Sequence, residues 1–242
     1  MVSIETIDVI IIISYSIICI IFLLTGIGFL HKAKDKPVQV RNYLLGIGLF
    51  FFLYGISRVL VFLFELTFEI DFIWNLSAAD FERIFAERPD LELRHDIVWR
   101  LSTAIGTAGL VFLMYQLEVI IMKKKTKFLF TILTVVTVIP ALILGVAGKD
   151  EVSIVRIILY AGNFLVIVIP LFYLYLAVKT SGTPRKRAIG AAFGMLLTFI
   201  GVVFNSSIGK TLFADQVYIT YVLYGICSTL GIIIYWKSIQ FD

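Results

Sequence analysis

Two arginines stand inside stretches that otherwise suit hydrocarbon. They are Arg58 in "LFFFLYGISRVLVFLFE" and Arg100 in "HDIVWRLSTAIG". A guanidinium keeps its charge and presents five N–H donors as a planar fork. Its chemistry is therefore recognition of carboxylate or phosphate, not proton transfer. At the centre of an isolated helix in lipid such a charge costs at least about 2.5–3.5 kcal/mol, and it normally faces a bundle interior or a cavity. Arg156 is a third, nearer the end of its run. Asp96 lies four residues before Arg100, so the two share a helix face. Glu65 lies seven residues beyond Arg58, and Tyr54 one turn before it. Tyr160 and Asn163 follow Arg156 at helical spacings, and Asn205, Ser206, Ser207, Tyr218 and Tyr221 add polar groups at a similar depth. These residues allow two arrangements. One is an outward-facing polar pocket for a small anionic or polar ligand, lined by Arg58, Arg100 and Arg156. The other is internal ion pairing that fixes the helices, with Arg156 snorkelling to the headgroups.

Glu118, in "YQLEVIIMKKK", is the other charge out of place. Lys123, Lys124 and Lys125 follow closely, so a near-surface salt bridge accounts for it at little energetic gain. The alternative is a cytoplasmic lock that opens on activation. Together with Arg185, Lys186 and Arg187, these residues form a candidate switch or partner-docking face.

The elements that must position these groups follow from composition. Of 242 residues, 60% are hydrophobic and 16% charged, against about half and about a quarter in soluble domains. Seven apolar runs are each long enough for a membrane-spanning helix, at about 8–30, 43–66, 95–122, 128–147, 152–178, 186–207 and 216–236. None shows the ten-residue alternation of a barrel strand. The fold expected is an all-α bundle of seven transmembrane helices forming a single domain, 1–242. The first run is a retained helix rather than a signal peptide, because "MVSIETID" before it has no Lys or Arg and "HKAKDK" after it offers no cleavage site.

Charge placement orients the bundle. Lys32, Lys34, Lys36 and Arg41 follow the first run; Lys123, Lys124, Lys125 and Lys127 follow the third; Lys179, Arg185, Lys186 and Arg187 follow the fifth. The intervening loops and the N-terminus are acidic or mixed. The positive-inside rule then puts the N-terminus outside and the C-terminus inside a plasma membrane. Basic loops beside an anionic leaflet need no nucleic acid to explain them. With this orientation Arg58 lies in the outer half, roughly 10 Å below a boundary near Glu65 at 1.5 Å per residue.

The longest external loop, 67–94, contains "SAADFERIFAE", with Ser77 as an N-cap and Phe81, Ile84 and Phe85 on one face. It predicts a short amphipathic helix on the membrane surface or over the bundle. Asn75 opens a glycosylation sequon, "NLS". Pro140 and Pro170 fall inside runs and can kink them. "GAAFG", Gly190 to Gly194, permits close helix contact, read here as packing within the bundle. Cys19 and Cys227 lie within spans as packing residues, and His31 and His95 are on opposite sides, so no zinc cluster and no metal is expected. The last run has no lysine for a retinal Schiff base, and no phosphate loop, metalloprotease motif or nucleophile elbow occurs. Neither a cofactor nor an enzyme activity is expected.

Seven spans with the N-terminus outside resemble seven-transmembrane receptors, both G-protein-coupled and rhodopsin-like, and more closely the prokaryotic seven-helix sensor domains. The likeness is one of topology. "YQLEVI" stands where many G-protein-coupled receptors carry Asp-Arg-Tyr, and the Asn-Pro-x-x-Tyr pattern and external cysteine pair are missing. The resemblance implies a receptor-like or sensory protein that signals to a separate cytoplasmic partner. A small-molecule or lipid transporter and a non-catalytic membrane subunit are the alternatives.

Overall fold

The computed structural model describes residues 4–67, 87, 89–143, 161–162, 164–205, 209, 213 and 217–239. Among them the chain is helical with no strand. Its helices are α1 (Ile4–Ala33), α2 (Val38–Thr67), α3 (Pro89–Ile120), α4 (Leu129–Ile143), α5 (Val168–Lys179, entered through a 3-10 turn, Leu165–Ile167), α6 (Gly182–Phe204) and α7 (Val217–Ser238). Five of these, α1, α2, α3, α6 and α7, are long and apolar enough to cross a membrane, which is the build of a multi-pass membrane protein. Shorter apolar helices cover Leu129–Ile139 and Leu165–Lys179.

The first helix shows why lipid is the solvent. Ile11, Tyr15, Ile18, Phe22 and Phe29 are buried, at spacings that keep them on one face. Val9, Ile13, Ile17, Ile20, Leu24 and Ile27 are exposed on the opposite face. A helix that is apolar all round is stable only where its outer face meets hydrocarbon. In α6 the same division separates buried Ala188, Ala191, Met195 and Thr198 from exposed Ile189, Phe193, Leu196 and Ile200.

The helices pack in chain order around a ring. α1 packs on α2, α2 on α3, α3 on α4, α5 on α6, α6 on α7, and α7 returns to α1. Phe130 of α4 meets Phe172 of α5 edge-on at 5.4 Å, which joins the remaining pair. The basic segments gather at one end. Lys32 at the end of α1 lies 4.1 Å over the Trp236 ring near the end of α7. Gly190 at the start of α6 abuts Ser238, and Gly46 near the start of α2 faces Gln116 near the end of α3.

"GAAFG" packs within the bundle, since a β-carbon on Gly194 would lie 2.6 Å from the Tyr235 backbone N and 2.7 Å from Gly231 O. Pro170 cannot donate to the carbonyl of Val166, and the chain adopts the 3-10 turn Leu165–Ile167 just before it. Several helices outrun their apolar runs. α3 begins at Pro89 rather than 95, α2 at Val38 rather than 43, and α6 at Gly182 rather than 186. Apolar length reports the hydrocarbon thickness, whereas backbone hydrogen bonding continues into the interfacial polar residues. The segment holding the expected surface helix, Asn75, Ser77, Arg156, Tyr160 and Asn163 lies outside the described residues, as do the side chains of Glu65, Asp96, His95 and Pro140.

Candidate functional site

Arg58 is about 30 Å along α2 from Val38 and about 13 Å from Thr67 at 1.5 Å per residue, in the half of the bundle away from the basic loops. Its guanidinium sits over the Tyr54 ring, 4.9 Å from the centroid, the stacking expected of a planar cation one turn away. Tyr15 and Cys19 of α1 and Tyr224 of α7 are the other groups within its electrostatic reach. Aromatic contacts surround it. Tyr15 stacks on Phe62 at 5.4 Å and meets Tyr224 edge-on at 6.0 Å, while Phe22 leans on Tyr54 at 4.7 Å. Tyr221 is buried, 6.4 Å from Tyr15.

Among the described residues Arg58 has no carboxylate partner, and its buried Nε has no hydrogen-bond acceptor. The buried hydroxyls of Ser57, Tyr224 and Ser228 also lack a protein partner. Such groups normally find one, because each left unmade costs about 1–3 kcal/mol. Asn205 caps the end of α6, with its Oδ1 unpartnered and its backbone N donating to Gly201 O at 3.3 Å. Arg100 is buried in α3. Gly109 lies against Phe50 and Leu53, and Gly106 against Tyr54 and Ser57. Continuing that antiparallel register sets Arg100 beside residues 60–63, about 5 Å beyond Arg58 along the axis. The structure thus brings Arg58, Tyr54 and Tyr221 into one aromatic cluster with Arg100 next to it. Tyr218 is only partly buried.

Glu118 departs from the expected salt bridge with the lysines. Lys123, Lys124 and Lys125 are exposed, and the hydrogen bonds of the carboxylate go elsewhere. The carboxylate is fully buried. It accepts hydrogen bonds from Thr126 Oγ1 at 2.6 Å, Phe130 N at 3.2 Å, Thr131 N at 2.9 Å and the Thr131 hydroxyl. The two backbone donors belong to the first turn of α4, whose N–H groups have no partner within their own helix. An anion there is held by directed bonds and by the helix dipole, which a flexible surface lysine cannot match. The bonds also tie down a turn in which Lys123, Lys124, Lys127 and Phe128 adopt positive φ of 48°, 62°, 48° and 61°. Tyr115 stacks on Phe128 at 5.6 Å to complete the clamp. Arg185 and Lys186, at the start of α6, are exposed at this same end, and Arg187 is partly exposed.

A second buried feature at the basic end escaped sequence reasoning. Tyr43 of α2, Tyr173 of α5 and Tyr235 of α7 join hydroxyl to hydroxyl, Tyr43 to Tyr173 at 2.5 Å and Tyr173 to Tyr235 at 2.6 Å. The three side chains reach across the bundle centre between helices that are not ring neighbours. Phe51 packs on Tyr235 at 5.6 Å and Phe29 on Trp236 at 4.4 Å. The only hint in the sequence is depth, since Tyr43 is two residues from Arg41 and Tyr235 two from Lys237.

Among the described residues no group of three or more His, Cys, Asp or Glu is placed to hold a metal ion. Against known proteins, the chain matches no family model, no curated protein and no solved structure.

Proposed function

We propose that this is a receptor-like or sensory membrane protein of seven spans, with its N-terminus outside and its basic loops in the cytoplasm. On this reading α4 and the α5 segment cross the bilayer beside the five longer helices. A small anionic or polar ligand enters from the outer side and engages Arg58, and the basic face docks a separate cytoplasmic partner. The observation that carries the reading is the pairing state of Arg58. It is a charge within the bundle, over Tyr54 and near Tyr224 with its unpartnered hydroxyl, with no described carboxylate to neutralise it. Intramembrane charges kept in that state mark ligand or ion paths by default. A through-path has less support, because the tyrosine cluster and the Phe29–Phe51 packing fill the centre of the basic end.

The test is an unbiased mass-spectrometric search for small molecules that co-purify with the wild-type chain, repeated on Arg58→Ala and Arg100→Ala. The expected outcome is a bound anion retained by the wild type and lost from Arg58→Ala. Equal retention by all three proteins would sink the pocket.

A further inference from the structure

Resting on that reading, the chemistry of the Arg58 cluster narrows the ligand. We infer that Arg58 receives a monocarboxylate attached to an apolar, preferably aromatic or aliphatic, body. Its headgroup is specified by what is missing. The unpartnered Nε edge of Arg58 is one prong of the fork that binds both oxygens of a carboxylate side-on. The Tyr224 hydroxyl, fully buried and without a protein partner, supplies an additional neutral donor within the electrostatic reach of that guanidinium. One fixed positive charge in low dielectric is matched by one negative charge. A phosphate dianion brings a second charge for which this lining offers only the Tyr224 hydroxyl and an aromatic face, so it would have to reach Arg100, about 5 Å beyond along the axis.

The body of the ligand follows from the walls. Tyr15, stacked on Phe62, and Tyr54, against Phe22, present ring faces and edges rather than hydrogen-bonding groups. Such a lining is suited to an alkyl chain or an aryl ring and not to a sugar or an amino acid zwitterion. Two sources supply this chemistry. A fatty acid arrives through the bilayer, and an aryl acid arrives from water.

The experiment uses the full chain in zwitterionic nanodiscs and follows its thermal midpoint on titration. Decanoate represents the bilayer source and phenylacetate the aqueous one. Decanol, decyltrimethylammonium and decyl phosphate are the controls. The expected result is a saturable rise in the midpoint with at least one carboxylate and with none of the controls. Arg58→Gln should weaken that carboxylate at least tenfold, with Arg58→Lys between the two. Tyr224→Phe should move two quantities in opposite directions. It raises the ligand-free midpoint, by removing an unpaired buried hydroxyl, and it weakens the carboxylate several-fold. A structural role for Tyr224 would lower the midpoint, and that result overturns its part in the site. If decyl phosphate binds in an Arg58-dependent manner and the carboxylates do not, the ligand class is wrong while the pocket stands. If no anion binds and Arg58→Gln matches the wild type throughout, pocket and class fail together. A Glu65→Gln chain that takes up decanoate at least tenfold more tightly than wild type identifies Glu65 as a resident anion, and the inference falls.

Discussion

Glu118→Ala removes the acceptor of four hydrogen bonds and should be the most damaging single change at the basic end. Two of its donors, Phe130 N and Thr131 N, belong to the α4 helix start; the other two are the hydroxyls of Thr126 and Thr131. A hydrogen bond to a charged group contributes about 1.5–3 kcal/mol, and loss of an N-cap alone costs about 0.5–2 kcal/mol. The four are not additive, because they share one carboxylate and the hydroxyls can turn toward other acceptors. The two backbone donors left without an acceptor cost about 1–3 kcal/mol each, and with the cap lost the change comes to about 3–5 kcal/mol. At about 2–4 °C per kcal/mol for a chain of this size, the thermal midpoint should fall by about 6–20 °C. Hydrogen exchange should localise the change to the 121–131 turn, where four non-glycine residues are held at positive φ. Glu118→Gln should fall between wild type and alanine, since the amide keeps one acceptor oxygen but turns an NH2 toward donors. The decisive comparison is the triple change of Lys123, Lys124 and Lys125 to Gln. These side chains are exposed and should shift stability by less than about 0.5 kcal/mol. If the lysine triple destabilises as much as Glu118→Ala, or Glu118→Ala is neutral with unchanged exchange in the turn, the capping argument is wrong.

Tyr173→Phe removes the central hydroxyl of the tyrosine cluster and both of its bonds; at about 0.5–1.5 kcal/mol net for each, it should cost about 1–3 kcal/mol in thermal or denaturant unfolding, and Tyr115→Phe, whose ring is partly out of the core, should cost less. Gly194→Ala tests helix contact by its sign. On an open helix the change gains about 1 kcal/mol, but with Tyr235 N 2.6 Å from the new carbon overpacking of about 1–3 kcal/mol should win and the midpoint should fall. The orientation is checked by single cysteines placed at Lys124 and at Arg185 in a chain with Cys19 and Cys227 replaced. An impermeant maleimide should label both from the cytoplasmic side only, and labelling from outside reverses the proposed topology.

How much of this was readable in the sequence depends on the range of the interaction. The helical class, the membrane and the grouping of basic loops at one end rest on local composition, and the helices reproduce them. Small residues at 190 and 194 announced close packing for the same reason, since absence of a side chain is a local fact. Glu118 was visible as an oddity but its partner was not. Nearness in sequence pointed to the lysines, while the acceptor geometry is met by residues 8 to 13 positions away, beyond a turn. The tyrosine cluster spans separations of 130 and 62 residues, and no periodicity within one helix encodes which face of α5 looks at α2. Tyr54 was legible beside Arg58 because it is one turn away. Tyr15 and Tyr224 were not, since they come from the two ends of the chain.

The proposed binding site rests on the distribution of paired and unpaired polar groups. Hydroxyls in transmembrane helices have an easy solution, a bond back to the preceding turn. Ser102, Thr107, Thr134, Thr198 and Ser238 all take it, at 2.7–2.9 Å. Ser57 and Ser228, equally buried in α2 and α7, do not. The chain also satisfies a harder group, since Glu118 receives four donors. A bundle with these means leaves Arg58 Nε and the Tyr224 hydroxyl without a partner among the described residues, while the unpartnered Ser57 and Ser228 hydroxyls face Gly106 of α3 and Gly201 of α6. At about 1–3 kcal/mol for each, Arg58 Nε and the Tyr224 hydroxyl are the two groups that a bound anion at the proposed site would compensate. The helices that carry Arg58 and Tyr224 are held in place from the other end by the tyrosine cluster, which ties α2 and α7 through α5, and by the Glu118 clamp. Their removal should therefore weaken anion binding at Arg58 without touching it. A Tyr173→Phe chain that binds the anion as tightly as wild type would separate the two ends and refute the coupling.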